Sequence, residues 1–435
     1  MEPTNIPTLT PTLEPTSSSP TYNPTGAPTT YVITLLAGSP TTVGYNGDNI
    51  DSTSAYLWYP SGIALDSASN VYVCDSLNNR VRKISATTSI ITTYAGYGPS
   101  YSGSFCCDGN AATDAALYSP TSVIFDSSDN MYFSDRYNHR IRMVTASTQI
   151  ISTIAGTGTG TYDYSSGVAT SVSLNYPIGV AVDNSGNVYI ADNSNALVRK
   201  VDTATGTLTT LAGSGTISDP LGLALNSAYD TLYVTDVTDW VIYVIDLATD
   251  TISTLSSSSG AYAFGLSIDS SDNLIITGYG KVQKLTLSSG SIVTIAGTGS
   301  AGYSGDGGPP TSAKIWYPWA VAYDNSNGDF YICDRGDHMI RKVTAQGTYG
   351  PTNAPTPIPT AIPTAVPTLT PTNSPTYIPS ASPQSPSGQP TGQPSVQPSS
   401  QPSSQPSSQP TNPTGQPSNQ PTSQPTRYAS YTQIA

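Results

Sequence analysis

The sequence is poor in the residues that most enzymes use for catalysis. Its two histidines are His139 and His338, and its two glutamates, Glu2 and Glu14, both lie near its beginning. A catalytic zinc site requires several imidazoles that converge on an ion with an open coordination position. Two histidines do not meet this requirement, so we expect no catalytic residues of that kind and favour a protein that is not an enzyme.

Long apolar runs and a leader segment are missing as well. No stretch approaches the roughly 18 consecutive apolar residues of a membrane-spanning helix, and Met1 is followed by Glu-Pro-Thr-Asn rather than by a basic and then apolar leader. Four cysteines are too few for a disulfide framework. We expect no membrane span, and the choice between a cytosolic chain and a piece of a longer secreted precursor stays open.

Basic residues are scarce. The formal net charge is −13, and residues 31–349 contain 26 Asp against 14 Lys or Arg. The basic residues recur inside repeated motifs rather than in one patch, whereas nucleic-acid readers normally present a basic face or stripe. We therefore expect no nucleic-acid partner.

Apolar residues are concentrated in the middle of the chain. Residues 1–30 and 350–435 consist mainly of Pro, Thr, Ser, Gln, Asn and Gly, which offer too little apolar surface to offset the entropy of ordering them. Proline recurs every fourth residue from Pro390 to Pro410, a spacing typical of extended polyproline II spacers. The expected organisation is one folded domain at residues 31–349 between two disordered tails.

The central region repeats a unit of four short apolar strings. The first copy comprises residues 59–66, 70–75, 79–84 and 90–96, and five further copies follow in the same order. The sixth copy supplies three strings, and its fourth, residues 31–38, stands at the other end of the domain. The strings are rich in β-branched and aromatic residues and are bounded by Asp, Asn, Ser or Gly, which is typical of strands. The sequence predicts an all-β, six-bladed β-propeller closed by its N-terminal strand.

One motif carries a family resemblance. The pattern Asp-x-x-Asn-x-Arg-Val/Ile-Arg at residues 75–82 and 135–142 resembles the NHL-repeat propellers, and the loops at 44–48 and 302–308 look like their interblade linkers. The resemblance implies a six-bladed propeller but no single activity, since that family includes a peptide-amidating lyase, RNA-binding regulators and extracellular sensor domains. Related lactonase-like propellers depend on an essential glutamate, and residues 31–349 contain none.

An aspartate ends the second string in five copies, and Gly278 replaces it in the fifth. A ring of carboxylates can bind a cation, and a calcium ion held by Asp, Asn and carbonyl oxygens stays open. The alternative is that each Asp caps the following turn and pairs with Arg80 or Arg140 where these are present. Repetition at one position favours the structural role, so we expect no cofactor. The aspartates are Asp75, Asp135, Asp192, Asp236 and Asp334.

The histidines and cysteines fit structural roles. His139 and His338 occupy the repeat position of Asn79, which indicates turn residues rather than metal ligands. Cys74 and Cys333 share a position in neighbouring blades, and sheets about 10 Å apart are too distant for a disulfide, so both are expected to be buried free thiols. Cys106 and Cys107 lie together in an exposed linker, where a vicinal disulfide and a reactive thiol are both open.

The linkers between blades are uneven in length. Those leading into blades six, one, two and three are long, and those leading into blades four and five are short. Aromatic residues follow the long linkers, and Trp319 replaces small or aliphatic residues of other copies. Exposed aromatic clusters beside polar groups can stack on sugars or hold peptides, although Trp58 and Trp316 share one position and equally suit interblade packing. The candidate ligand-binding residues are Trp319, Trp316, Tyr317, Trp58 and Tyr59.

These features favour a non-enzymatic binding or scaffold module. We expect a monomer that engages a protein or glycan ligand on the face that carries the long linkers. The Ser, Thr and Pro density of the tails resembles that of extracellular algal or protist proteins, which favours an extracellular or cell-wall location. The alternatives are a divalent-metal-dependent hydrolase or lyase and an intracellular protein-interaction hub.

Overall fold

The structure, a computed structural model, describes residues 30–98, 105–213, 215–255 and 263–346. These residues form six antiparallel sheets arranged as the blades of a β-propeller, as the repeat predicts. The predicted tails at 1–30 and 350–435 lie, apart from Thr30, outside the described residues.

The strands of the first three blades, together with the N-terminal strand, are short and come in chain order. They are β1 (Thr30–Gly38), β2 (Ile50–Asp51), β3 (Pro60–Leu65), β4 (Val71–Asp75), β5 (Arg80–Ile84), β6 (Ile90–Ala95), β7 (Pro120–Phe125), β8 (Met131–Asp135), β9 (Arg140–Val144), β10 (Ile151–Ala155), β11 (Gly167–Val168), β12 (Val180–Val182), β13 (Val188–Asp192), β14 (Leu197–Asp202) and β15 (Thr207–Gly213).

Blades four to six follow the same plan. Their strands are β16 (Pro220–Leu225), β17 (Thr231–Asp236), β18 (Val241–Asp246), β19 (Thr251–Thr254), β20 (Leu266–Ile268), β21 (Leu274–Gly278), β22 (Lys281–Thr286), β23 (Ser291–Ala296), β24 (Pro318–Tyr323), β25 (Phe330–Asp334) and β26 (Met339–Gln346).

Short 3-10 turns are the helical segments of the described residues, and none is long and apolar enough to cross a membrane. They span Ser52–Ser54, Ser76–Asn78, Ala112–Asp114, Arg136–Asn138, Ala169–Ser171, Asn193–Asn195 and Pro310–Ser312.

The N-terminal strand closes the ring. Strand β1 pairs antiparallel with β26, from Thr30 opposite Gln346 to Gly38 opposite Met339, and completes the sheet β1-β26-β25-β24. Closure between the two ends of the domain is therefore confirmed, and it is made by a hydrogen-bonded ladder.

Both faces of each blade are apolar, and each face packs against a neighbouring blade. The second strands β4, β8, β13, β21 and β25 are buried along their whole length. Tyr72 and Cys74 of blade one, for example, belong to one buried cluster with Val123 and Phe133 of blade two. The core is thus a circle of seams between successive sheets.

The first strand of each blade lines a central channel of about 510 Å³. Glycines in these strands allow close contact between blades, since a Cβ atom at Gly62 or Gly222 would lie 2.7 Å from the carbonyl oxygen of Thr121 or Phe264 in the next blade. Hydroxyls reinforce the contact, as when Ser134 donates to the Ile178 carbonyl oxygen at 2.6 Å. These contacts fix the side chains at the mouth of the channel.

Candidate functional site

The lining of the channel extends to the face opposite the linkers, where it includes Ser227, Tyr229 and Asn325. Its other end meets the linker face, which carries the interblade linkers and the turns after the second strands. One repeat position, the third of each Tyr-Pro-x-Gly type segment, surrounds this end. It is polar in blades one and two and apolar in the other four, so the rim is two-sided. Its residues are Ser61, Thr121, Ile178, Leu221, Phe264 and Trp319.

The ring of Trp319 contacts two other side chains. Its ring stacks on Phe264 with centroids 5.4 Å apart and planes 11° from parallel, and the guanidinium carbon of Arg335 lies 4.3 Å from its centroid. Phe264 occupies the same repeat position, so the expectation that this position is small or aliphatic in other copies is wrong for blade five. Trp319 is one part of a stack.

The stack extends into neighbouring blades. Tyr317 stacks on Phe264 at 5.0 Å and meets Tyr279 edge-on at 5.6 Å, and Arg335 also lies 5.1 Å from the ring of Tyr59 in blade one. We call this set the aromatic–arginine surface. It comprises Tyr59, Trp240, Phe264, Tyr279, Tyr317, Trp319 and Arg335.

Trp58 and Trp316 make different contacts. Their side chains are 38% and 48% exposed, and their backbone N–H groups donate to Asp75 at 2.7 Å and to Asp334 at 2.8 Å. Trp316 also covers a turn, because a Cβ atom at Gly336 would lie 2.6 Å from its Cγ. The backbone of each residue thus stabilises the start of a blade, and its ring is exposed on the linker face.

Sequence reasoning missed four members of the surface, namely Trp240, Phe264, Tyr279 and Arg335. Phe264 was hidden because copy five lacks the proline that marks this position elsewhere. Trp240 occupies the repeat position of Asn79, His139 and His338. An alignment of all six copies at this turn position would have identified it as an unusual aromatic residue.

The repeated aspartates cap the starts of the blades. Asp75 is fully buried and accepts hydrogen bonds from the backbone N–H of Trp58 at 2.7 Å and from the Asn78 amide at 2.8 Å. Arg82 lies 3.5 Å from the same carboxylate. Burial raises the pKa of Asp75 to about 6, and the charge of Arg82 opposes that rise.

The arginine that pairs with each aspartate is not the one expected from the sequence. The partners are Arg82 and Arg142, whereas Arg80 donates to the carbonyl oxygens of Asn78 and Tyr97, at 3.0 and 2.9 Å. Arg140 likewise donates to two carbonyl oxygens. The predicted pairing with Arg80 and Arg140 is therefore wrong.

The long linkers cover these buried arginines. In blade one, the Tyr45 ring lies 3.7 Å from the guanidinium carbon of Arg80, and Asp48 lies 2.9 Å from Nη2 of Arg82. Equivalent contacts come from Phe105 and Asp108 in blade two, from the carbonyl oxygens of Asp163 and Ser165 in blade three, and from Tyr303 and Asp306 in blade six.

Blades four and five have short linkers and lack the buried arginine. Tyr243 and Gln283 stand in its place. In blade four the carboxylate of Asp236 is satisfied by four backbone N–H groups, those of Ser218, Asp219, Thr238 and Asp239. In blade five both members of the pair are replaced. Long linkers are therefore found in the four blades that bury this arginine.

The aspartates do not converge. Within the described residues, no group of three or more His, Cys, Asp or Glu side chains is arranged to hold a metal ion. Each aspartate belongs to its own blade and is bound by donors of that blade. The predicted capping of the following turn is found for Asp236, which accepts the N–H groups of Thr238 and Asp239. It is wrong for Asp75, Asp135 and Asp192, whose side chains make no cap hydrogen bond to that turn.

Both histidines lie in turns and link blades. His139 Nδ1 accepts the backbone N–H of Tyr176 at 3.1 Å, and His338 Nδ1 accepts that of Tyr59 at 3.2 Å. Burial lowers the pKa of both imidazoles, and nearby arginines lower it further. The neutral imidazole is the form that can accept this hydrogen bond.

The cysteines fall into two classes. Cys74 and Cys333 are buried free thiols, as expected, and burial raises the pKa of both. Cys106 and Cys107 form a vicinal disulfide in the linker leading into blade two. That linker also carries Phe105 and Asp108, so the disulfide lies between the two residues that cover Arg140 and Arg142.

Family models match the repeats and part of the C-terminal region. The model described as the NHL repeat matches residues 57–84, 174–201 and 316–343, which lie in blades one, three and six. The model described as the PT disordered repeat matches residues 378–412.

Similar proteins share the repeats over a limited length. The chain is 27% identical over 175 residues to the chloroplastic protein SUPPRESSOR OF QUENCHING 1 of Arabidopsis thaliana, which is 39% of this chain and 16% of that protein. It is 30% identical over 167 residues to human NHL repeat-containing protein 2, which is 37% and 23% of the two chains. The chain thus spans less than a quarter of these relatives.

Solved structures share the fold. An auxiliary nutrient binding protein from Bacteroides thetaiotaomicron aligns with a TM-score of 0.54 at 16% identity, over 72% of this chain and 76% of that one. A gluconolactonase from Xanthomonas campestris aligns with a TM-score of 0.51 at 12% identity, over 74% and 91%. The chain thus carries three segments that match the NHL-repeat model, and it folds as a six-bladed β-propeller, the fold that the solved structures share.

Proposed function

We propose that this propeller is a non-enzymatic binding module that holds a protein ligand on its linker face, over the aromatic–arginine surface. The observation that carries the proposal is the contact of Trp319 with both Phe264 and Arg335. Tryptophan, tyrosine and arginine are the residues most enriched at the energetic centres of protein interfaces.

The same arrangement favours a protein over a glycan. A sugar ring binds tryptophan by stacking on an open face of the indole, but Phe264 stacks on the Trp319 ring and the Arg335 guanidinium lies 4.3 Å from its centroid. A protein ligand needs no open face, because it can contact the exposed edges of this stack together with the half-exposed rings of Tyr59 and Tyr279.

Rigidity adds to the case. Trp319 lies in strand β24, and its carbonyl oxygen accepts a hydrogen bond from the hydroxyl of Thr277 in blade five at 3.2 Å. Phe264 is 2% exposed. A surface fixed by strands and interblade hydrogen bonds loses little side-chain entropy on binding, which favours affinity.

The test compares two variants of the surface with one control. Peptides selected from a displayed random library on the wild-type protein, and a glycan array probed in parallel, are measured against Trp319→Ala and Arg335→Ala. Tyr229→Ala is the control, because Tyr229 is an exposed aromatic in a turn after the first strand of blade four, on the face opposite the linkers.

Each ligand class gives a distinct outcome. For a protein ligand, both surface variants weaken binding about tenfold or more, the effect of losing about 1.4 kcal/mol, while Tyr229→Ala does not. For a glycan, Trp319→Ala abolishes binding and Arg335→Ala strengthens it, because removing the guanidinium makes the indole more accessible. Binding that survives both surface variants places the site elsewhere and overturns the proposal.

The proposed setting is extracellular or the cell wall. It is supported by the match of residues 378–412 to the PT disordered repeat, a composition suited to extended spacers. Fractionation of the native protein between the medium or wall and the cell interior tests this, and recovery in the interior alone would instead favour an intracellular interaction hub.

A further inference from the structure

One repeat position follows the aspartate, or its replacement, that ends the second strand of each blade. Its side chain faces the start of the next blade, as when Ser76 donates to the carbonyl oxygen of Pro120 at 2.6 Å. The position is arginine in blades two and six and differs elsewhere. Its residues are Ser76, Arg136, Asn193, Val237, Tyr279 and Arg335.

The two arginines have matching surroundings, which we call arginine stations. At the seam between blades two and three, Arg136 lies 5.9 Å from the Tyr176 ring, and His139 meets that ring edge-on at 4.5 Å. At the seam between blades six and one, Arg335 and His338 lie 5.1 and 4.6 Å from the Tyr59 ring. The Arg136 station adds a second ring, that of Tyr137, at 5.3 Å.

The guanidinium of Arg136 has no hydrogen-bond or ion-pair partner among the described residues, although Asp219 is near enough to interact with its charge, and its Nε is buried. The protein has nearly twice as many acidic as basic residues, and yet no carboxylate lies within ion-pair distance of this guanidinium. By contrast, Arg80 and Arg140 each donate to two carbonyl oxygens, and Arg82, Arg142 and Arg341 each contact two aspartates.

An unsatisfied guanidinium beside aromatic rings is a ready-made oxyanion site. Its planar fork matches the two oxygens of a carboxylate, and because Nε is buried, binding uses the two terminal nitrogens. The nearby rings of Tyr137 and Tyr176 lower the dielectric constant around the guanidinium, which strengthens a charge-assisted hydrogen bond.

We propose that the Arg136 station binds a carboxylate group, and that the Arg335 station is its repeat-related counterpart on the same face. A carboxylate fits better than a phosphate because the net charge of −13 repels a dianion more strongly than a monoanion. The site lies in the seam between blades two and three, so it does not depend on the ligand proposed for the aromatic–arginine surface.

The test uses acetate as the probe. Arginine Nε–Hε resonances of the whole isotope-labelled chain are followed while sodium acetate replaces sodium chloride at constant ionic strength and pH. The Arg136→Lys variant, which lacks the Nε, identifies the Arg136 resonance. Arg80 and Arg140, whose terminal nitrogens are bound to carbonyl oxygens, serve as controls in the same spectrum.

The expected result is a saturable shift of the Arg136 resonance with acetate, with Arg80 and Arg140 unmoved. An equal response to acetate and chloride, or a response that never saturates, overturns the proposal. Saturation by sodium phosphate without saturation by acetate overturns the choice of carboxylate.

A second measurement does not depend on the Arg136 resonance, which exchange of its proton with water can make unobservable. A carboxylate that binds only the folded state raises the unfolding temperature. We therefore expect acetate to raise the unfolding temperature of the wild type more than chloride does. The increase caused by acetate should be smaller in Arg136→Gln than in the wild type. An equal acetate effect in both proteins contradicts the site. Trp319→Ala is expected to keep the acetate response, which separates this site from the proposed protein-binding surface.

Discussion

The imidazole Nδ1 of His338 in blade six accepts the backbone N–H of Tyr59 in blade one, across the seam that closes the propeller, at 3.2 Å. The same bond recurs from Tyr176 to His139 at 3.1 Å, and from Ser119 to the Asn79 side-chain oxygen at 2.8 Å. One turn position thus supplies a hydrogen-bond acceptor to the next blade at three seams.

The first prediction concerns acid sensitivity at this position. Burial lowers the pKa of both histidines, so the unfolded chain takes up protons before the folded chain as the pH falls. Stability from these bonds is complete above about pH 6.5 and is lost as the pH falls through the lower folded pKa. The double variant His139→Asn/His338→Asn keeps the acceptor without the proton, so its unfolding free energy, measured in urea, depends less on pH below about pH 6.5.

The Asn79→His variant is the matched reverse change. It places a third imidazole in the equivalent turn and is expected to steepen the loss of stability over the same pH range. Equal pH dependence in the wild type and the double variant would contradict this role for the histidines.

The second prediction concerns Asp337, which replaces the asparagine that donates to the aspartate in blades one, two and three. Both Asp334 and Asp337 are buried, and each has an Oδ2 without a hydrogen-bond partner. Burial raises the pKa of Asp337 from 3.8 to about 6 and that of Asp334 well above its usual range, with the charge of Asp337 adding to the latter.

A raised carboxyl pKa makes the folded state hold a proton that the unfolded state releases, so this pair loses stability as the pH rises between about 4 and about 6. We therefore expect Asp337→Asn to stabilise the protein by about 1 kcal/mol at neutral pH and to give little gain near pH 4. Chemical unfolding at both pH values checks this. The reverse change in blade two, Asn138→Asp, should destabilise the protein at pH 7. An unchanged unfolding free energy at that pH would count against the mechanism.

The third prediction concerns the buried ion pair of blade two. Arg142 and Asp135 are both fully buried and lie 3.1 Å apart. Removing one partner of such a pair leaves a buried charge and costs about 3 to 5 kcal/mol, which is the expected effect of Arg142→Gln on the unfolding free energy.

Blade five shows what replaces the pair, since it carries Gly278 and Gln283 at these two positions. The double variant Asp135→Gly/Arg142→Gln should therefore cost less than the sum of the two single changes, as measured by a double-mutant cycle in urea. Strict additivity would show that the two charges are stabilised independently.

The fourth prediction concerns ring closure. A chain that begins at Thr30 keeps all of β1, and one that begins at Ser39 lacks it. The first should unfold at the temperature of the full chain. The second exposes the edge of β26, and unpaired edges associate with other chains, so it should melt lower and form oligomers in size-exclusion chromatography. A peptide of residues 30–38 added in trans should restore the monomer, and a monomer that is stable without it would contradict the closure role.

The repeat made the fold predictable because its signals are local. Strands bounded by Asp, Asn, Ser or Gly, the fourth string displaced to residues 31–38, and the turn role of His139 can all be read along the chain, and the structure contains each of them. The repetition then determines the architecture, since six similar units can be arranged in few ways.

Contacts between elements were harder to predict. Arg80 lies directly opposite Asp75 in the strand register, yet its guanidinium binds the carbonyl oxygens of Asn78 and Tyr97, and Arg82 reaches the carboxylate instead. The choice depends on where the linker places Tyr45 and carbonyl oxygens, which no local pattern encodes. The stack of Trp319 on Phe264 likewise requires knowing that blade five sets an aromatic ring beside blade six.

The ladder between β1 and β26 also determines how the domain responds to force. Thr30 and Gln346 lie opposite each other at one end of that ladder, so tension between the two flanking segments of the chain acts across a single residue pair. Antiparallel strands pulled apart from the same end open like a zipper, one hydrogen bond after another, whereas strands pulled lengthwise past each other must break many bonds together. We therefore expect this closure to resist little force when β1 is peeled from β26.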